Sequence, residues 1–509
     1  MNNISLCRSF VVSRVIFKMC SVMSNYEDAV CKLNKLQSNK KTIDQIRKDL
    51  KNGIIKCTNI EEMGNFLSRT GVTLDKLDEL SVIHIAGTKG KGSTSAMCEA
   101  ILRSHGFRTG FYSSPHLVAV RERIRLDGSV VSEELFAKHF HCVYDMLDST
   151  QDFEGDMPKY FAFLTVLAFN MFLKEKVDVA IIEVGIGGIV DYTNVLRKVP
   201  VVGITALGLD HTSILGYTLP EIAAAKAGIM KPGCEAYTVP QPVDAMQVLR
   251  DYADSVKCPL KVVPDYKNYT FPPNNPLKID LEAYQTNASL AIQLAHAWMR
   301  QHRLKKISKS NGLKNGVNTL IIDNNRTVLD KDILDLDNVT VEGLKNCKWP
   351  GRYHLVQSDF AWFYLDGAHT KESMEICAQW FEDKNKLQEK ILIFSATGDR
   401  NAEILLKPLS RLTFKTACFV IPTAYKETSQ NNDNFSLVEQ EELMDRCRKY
   451  SDIWRGLQSG TEIRVFDCVS EALISIKRAY SGKKPAVLVT GSLHLVGAAL
   501  SIIDPNLST

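Results

Sequence analysis

Val82-Ile-His-Ile-Ala-Gly-Thr-Lys-Gly-Lys-Gly-Ser-Thr94 reads as an apolar strand entering a glycine-rich, lysine-bearing turn that leads into a helix. Glycines let backbone N–H groups close on phosphate oxygens, Lys91 adds charge, and a helix beginning near Ser93 contributes its positive dipole end. Gly87, Thr88, Gly90, Lys91, Gly92, Ser93 and Thr94 are therefore the candidate phosphate-binding residues. The spacing departs from the ordinary Walker A loop, which needs Gly at 85 and Ser or Thr at 92. Here those positions are Ile85 and Gly92, so an ordinary GTPase or motor reading loses ground.

Outward from this loop, short apolar runs alternate with helical segments. Ser81 to Ala86, Arg108 to Tyr112, Val177 to Val184 and Val199 to Thr205 read as strands, the last two apolar enough to be buried on both faces. Pro158 to Lys176 reads as an apolar helix with Pro in its first turn. The pattern predicts an α/β fold: a P-loop-containing, doubly wound, mostly parallel sheet, with ligands gathered beyond the carboxyl ends of the strands. Between about Arg303 and Asn346 the chain turns polar. A second strand series follows at Trp362 to Leu365, Ile391 to Ser395, Cys418 to Ile421, Ile463 to Phe466 and Ala486 to Thr490, which predicts a smaller Rossmann-like α/β domain. The expected domains are 25–345, including the polar linker, and 346–509. Within the second, Lys426 to Gln440 reads as a polar surface insertion.

At 509 residues more than one core is expected. Lys plus Arg number 62 against 58 for Asp plus Glu, a balance too even to predict a nucleic-acid surface, and no apolar run reaches a membrane span. Thirteen cysteines without a C-x-x-C pair fit a reducing compartment. Residues 1–24 carry Arg8, Arg14 and Lys18 but no acid, the pattern of a mitochondrial transit segment, and Met19 and Met23 offer alternative starts for a cytoplasmic form.

Triphosphate oxygens require a hard cation, Mg²⁺, and oxygen or imidazole ligands near strand ends. Glu183 ends one buried run, His211 follows Asp210 after another, and Phe111-Tyr-Ser-Ser-Pro-His-Leu117 supplies hydroxyls at a third; taken alone, His211 reads as a structural histidine rather than a ligand. Lys226 lies in a small-residue helix. A cation beside Mg²⁺ would be repelled, so Lys226 either touches phosphate or has its charge chemically altered. Arg352 in Trp349-Pro-Gly-Arg352 stands at the domain junction, where it either neutralises transferring phosphate or forms a local salt bridge.

Together these segments resemble the eukaryotic folylpolyglutamate synthases of the Mur ligase family. The resemblance rests on Ala86 to Thr94, Gly110 to Arg125, Glu183-Val-Gly-Ile-Gly-Gly188, Leu209-Asp-His-Thr212, Trp349-Pro-Gly-Arg352, Tyr364-Leu-Asp-Gly-Ala-His369 and Val489 to Gly497. It implies ATP-dependent addition of L-glutamate to the γ-carboxylate of tetrahydrofolates through an acyl phosphate, by a monomer. It assigns Lys91, Lys226 and His211 to catalysis, and Ser114, Glu183 and His211 to Mg²⁺, with room for a second ion and a monovalent cation. Lys226 matches a lysine that can be carbamylated. The resemblance further places Asn287 at adenine, Arg352, Asp366 and His369 at ATP, Ser113, Pro115, His116 and Arg121 on the folate side, and Ser492 on the glutamate side. Bulky Tyr192 departs from the family's small residue, which bears on substrate preference. Two alternatives remain open: a dihydrofolate synthase, and a catalytically silent nucleotide-binding regulator.

Overall fold

The structure is a computed structural model that describes residues 24–38, 57–310, 334–385, 388–397, 400–426 and 429–507, with the side chains of 305–310 also outside it. The transit-like segment and its internal methionines lie outside the described residues, as does most of the polar stretch after 303.

Eight strands form the first sheet: β1 (Val82–Ala86), β2 (Thr109–Tyr112), β3 (Ile124–Leu126), β4 (Ser129–Val130), β5 (Val179–Glu183), β6 (Val201–Ile204), β7 (Glu235–Thr238) and β8 (Leu260–Val262). Their spatial order is β4-β3-β2-β5-β1-β6-β7-β8, parallel from β2 to β8, with β3 and β4 an antiparallel edge. β1 lies centrally, every residue of it buried. Its alternate side chains divide between two cores. Val82 and Ala86 face Phe163, Phe169 and Phe172 of the helix Tyr160–Glu175, and Ile83 and Ile85 face Ile101 and Trp298. Each of the valine, isoleucine and phenylalanine side chains among them contributes roughly 1.5–3 kcal/mol by leaving water. His84 shares the first face, bonded to Thr193 Oγ1 at 2.9 Å, and burial holds its pKa down to about 3.

The second sheet has the order β13-β12-β11-β14-β10-β9, from β9 (His354–Gln357), β10 (Trp362–Asp366), β11 (Lys390–Phe394), β12 (Thr416–Val420), β13 (Glu462–Phe466) and β14 (Ala486–Thr490). β9 is its one antiparallel member. Inside the polar stretch, the helix Asn338–Lys345 buries Val341 and packs so closely on the first unit that a Cβ on Gly343 would come within 2.7 Å of Ile101 Cα.

Three local expectations shift. The helix after the glycine turn spans Lys91–Ser104, because Gly90 caps it at φ 87°, so Lys91 is its first residue. Pro158 precedes the cap at Lys159 and stands outside the helix. Residues 429–436 do not form a free surface insertion: Asn34 Nδ2 donates to Gln430 O and Asn432 O at 2.8 and 2.9 Å, and Tyr26 Oη donates to Asp433 at 2.6 Å.

Candidate active site

The register places the carboxyl ends of three strands side by side. Ile85 of β1 is level with Glu183 of β5, and Ala86 with Ile204 of β6. The glycine turn, Glu183 and the loop leading to His211 therefore emerge together at the position where doubly wound sheets bind ligands. The turn is held from below: Thr88 N and Lys89 N both donate to Ala206 O at 3.0 Å, and Thr88 Oγ1 donates to Gly208 O at 3.1 Å.

Its glycines answer to close neighbours. A Cβ on Gly87, where φ is 150°, would fall 1.8 Å from Thr205 Oγ1; one on Gly90 would fall 2.2 Å from Asn287 Oδ1. Asn287 thus stands against the turn, on the helix Glu282–Ser310. A Cβ on Gly92 would meet the Trp349 indole at 2.8 Å. The glycine that breaks the Walker spacing is where the junction residue Trp349 packs on the first turn of the helix. Ser93 and Thr94 are buried, and Thr94 Oγ1 and Thr205 Oγ1 have no hydrogen-bond partner among the described residues.

Glu183 is buried and accepts from Ser114 N at 3.1 Å. Burial pushes its carboxyl up, opposed by Lys91, the Ser114 N–H, Arg352 and Arg123. A buried carboxylate beside a hydroxyl, with an imidazole on the adjoining loop, is a hard-cation donor set and fits Mg²⁺. Ser114 follows β2 and is joined to Pro115 by a cis peptide bond. His211 caps the short helix Thr212–Leu215 in the left-handed conformation, φ 51°, its N–H on Asp210 Oδ1 at 2.9 Å. Burial lowers its imidazole, Asp210 raises it, and Lys91 and Lys226 are near enough to lower it further. Among the described residues no three His, Cys, Asp or Glu side chains converge, so hydroxyl, phosphate or water oxygens would complete an ion's shell.

Lys226 is buried, and its Nζ donates to Gly87 O at 2.8 Å, directly beneath the phosphate turn. Burial first, and the charge of Lys91 second, bring its pKa down to about 7. A substantial neutral fraction near neutral pH is what nucleophilic addition to CO₂ requires.

The second sheet faces these groups with charge. Arg352 Nη1 is buried and has no hydrogen-bond partner among the described residues, and the Arg352 charge reaches both Glu183 and Asp366. Asp366 is itself committed to backbone, accepting from Tyr353 N at 3.0 Å and Ala368 N at 2.9 Å; it shapes the Gly367–His369 turn and stands beside Arg352. His369 Nε2 lies 3.5 Å from Asp210 of the first unit. Arg400 lies 3.5 Å from the other Asp210 oxygen, and Lys89 pairs with Glu372 at 2.7 Å. Burial pushes Asp210 up, but His369, His211 and Arg400 overcome it and hold the carboxyl well below its usual range. Asp210, Arg400 and Trp349 are the members that sequence reasoning left without a role. The Asp-His pair and the Gly-Asp-Arg segment after β11 were visible, but only the folded chain joins them.

Ser492 is buried as the N-cap of the helix Leu493–Ile503, its Oγ accepting from Leu495 N at 3.2 Å. On the other flank, Ser113 N donates to Arg123 O at 3.0 Å, and His116 Nδ1 accepts from Arg123 Nε at 2.9 Å. Arg121 leans instead toward Val131 O, 3.2 Å away, and Glu133. The structure thus groups the turn, Glu183, Ser114, Lys226, His211 and Arg352, and sets Arg121 apart from them.

The dihydrofolate synthetase C-terminal domain family matches residues 352–502, which span the second sheet. Over most of its length the chain is similar to the mitochondrial folylpolyglutamate synthases of Bos taurus (38% identical, 95% of this chain and 93% of that one) and Homo sapiens (37%, 95% and 92%). It is also similar to a putative folylpolyglutamate synthase of Caenorhabditis elegans (39%, 94% and 92%). Among solved structures, the Mycobacterium tuberculosis folylpolyglutamate synthase complexed with ADP and AMPPCP superposes with a TM-score of 0.66 at 22% identity, covering 88% of this chain and 95% of that one. E. coli FolC in complex with DHPP and ADP gives 0.65 at 23%, covering 95% and 99%. These two establish the shared two-sheet α/β fold. The chain belongs to the folylpolyglutamate synthase family.

Proposed function

We propose that this chain is an ATP-dependent ligase that joins the amine of L-glutamate to the γ-carboxylate of a tetrahydrofolate, extending a polyglutamate chain. The observation that carries this reading is Arg352, just before β9: its Nη1 is buried with no hydrogen-bond partner among the described residues, and its charge reaches Glu183, as that of Lys91 does. A buried guanidinium nitrogen without a partner calls for an oxyanion acceptor, and one converging with a glycine-rich, lysine-bearing turn calls for a phosphoryl group.

A carboxylate is a poor acyl donor. The γ-phosphoryl of ATP passes to a carboxylate oxygen, forming an acyl phosphate and ADP; the glutamate amine then attacks the carbonyl carbon, loses a proton, and inorganic phosphate leaves as the amide forms. Lys91 and the helix N-terminus offset charge on the transferring phosphoryl oxygens, and Arg352 offsets it from the second domain. Ser114, Glu183 and His211 would hold Mg²⁺, which supplies charge neutralisation at the β- and γ-oxygens. Lys226, with its pKa near 7, is suited to carbamylation, which turns an ammonium that opposes a metal into an anion that supports one. Asn287 and His369 border the nucleotide, the loop 113–123 borders the folate, and Ser492 the glutamate.

The relatives named mitochondrial and the acid-free segment 1–24 support a matrix form, with Met19 or Met23 starting a cytoplasmic one. Among the described residues no helix is long and apolar enough to cross a membrane. Purified protein given ATP, labelled glutamate and either tetrahydrofolate or dihydropteroate decides the substrate. Elongated tetrahydrofolates are expected. Turnover of dihydropteroate alone would overturn the reading in favour of a dihydrofolate synthase, and ATP hydrolysis indifferent to both would overturn it altogether.

A further inference from the structure

In the loop 113–123 most backbone N–H groups have identified acceptors. Glu122 accepts three successive N–H groups, from Leu117 at 3.0 Å, Val118 at 2.7 Å and Ala119 at 2.6 Å. The next N–H, that of Val120, goes outside the loop to Asp433 Oδ1 at 2.6 Å. The carbonyls of Leu117 and Val118 also turn outward, both accepting from Asn434 Nδ2 at 3.0 Å. His116, with Nδ1 occupied by Arg123, presents Nε2–H to Asp433 O at 3.2 Å. Leu117 meanwhile inserts its side chain into the core of the second domain, and a Cβ on Gly497 would fall 2.0 Å from Leu117 O.

A segment of the second domain therefore grips the backbone of a first-domain loop at consecutive residues. The same Asp433 oxygen accepts from Tyr26 Oη at 2.6 Å, which ties in the helix Asn25–Lys35, and Gln37 adds a bond to Phe435 O at 3.2 Å. Within the loop, the position of 117–120 bears directly on the chemistry. Ser113 N closes the loop on Arg123 O, and the next residue, Ser114, donates its N–H to Glu183. A shift at 117–120 in so short a ring moves the residues beside the phosphoryl site.

We infer that residues 429–436 form a positioning clamp for the loop 113–123, with Asp433 and Asn434 as its positioning residues, so that the folate-side surface takes its binding shape only when the second domain grips it. This rests on the reading of that loop as the folate side, and two separate readouts distinguish the failure of one from the failure of the other. Hydrogen exchange on the full-length chain without ligands reports the clamp. Asp433→Ala and Asn434→Ala should speed exchange at residues 117–120 by about tenfold, the loss of one bond to a charged or well-placed group, and leave the helix Lys91–Ser104 unchanged. Steady-state kinetics report the consequence: KM for tetrahydrofolate should rise about tenfold while KM for ATP stays within about twofold. Tyr26→Phe, which removes a single hydroxyl, should give smaller changes in the same direction and serves where the alanine variants do not fold. Unchanged exchange at 117–120 overturns the clamp. Faster exchange with an unchanged folate KM leaves the clamp standing and overturns the assignment of the loop to folate.

Discussion

Lys226 is the residue in which burial and chemistry are most tightly joined. Its ordinary pKa is 10.5 and the fold lowers it to about 7. Between those values the unfolded chain holds a proton that the folded chain lacks. Stability therefore rises with pH through that window, and the cost of burying the ammonium is fully present below about pH 7. At about 1.4 kcal/mol per unit, wild type measured against Lys226→Met in CO₂-free buffer should gain on the order of 2 kcal/mol between pH 7 and pH 9. Denaturant melts at the two values check this; a constant difference would mean that Lys226 titrates normally. The role proposed for Lys91 is to offset charge on the phosphoryl group during transfer, so Lys91→Ala should lower kcat by about 10²–10³ with the fold intact by circular dichroism. Glu183→Gln should raise the Mg²⁺ concentration for half-maximal rate by about tenfold or more, read from Mg²⁺ titrations of turnover.

Among the elements, the helix Lys91–Ser104 shows how a spacing read from sequence gains its meaning in three dimensions. Gly92 is glycine because the Trp349 indole lies against it, and the Arg352 of the same Trp-Pro-Gly-Arg segment then reaches the phosphate side. Gly92→Ala should force the junction outward and lower kcat/KM for ATP by about tenfold, with partial recovery in Gly92→Ala/Trp349→Leu. No recovery in the double variant would place the defect in the turn itself. The turn, the doubly buried strands β1, β5 and β6, and Glu183 at a strand end were legible because local pattern alone specifies them. The strands β3, β4, β7, β8 and β9 were not, being short and carrying polar or charged residues. The contact between Gly92 and Trp349, the meeting of Asp210 with His369 and Arg400, and the hydrogen bonds from 429–436 to the loop 113–123 were illegible for another reason. Each joins segments distant in sequence, and neither side carries a periodic signal.

At the scale of the whole molecule, the two sheets meet through Asp210 with His369 and Arg400, Lys89 with Glu372, Leu117 in the second core, and the residue 429–436 segment. These contacts are unequal. Lys89 and Glu372 are substantially exposed, so Glu372→Gln should change stability by less than about 1 kcal/mol. Asp210 has three cationic or imidazole neighbours and little exposure, so Asp210→Asn should lower turnover and expand the particle in small-angle scattering, while each unit retains its own core. The central claim is that the phosphate turn of the first unit and Arg352 of the second jointly deliver a phosphoryl group to a carboxylate. Tetrahydrofolate labelled with ¹⁸O in its γ-carboxylate tests it directly. One ¹⁸O should appear in inorganic phosphate for the first amide bond formed on each labelled tetrahydrofolate; first-bond formation with unlabelled phosphate would contradict the account.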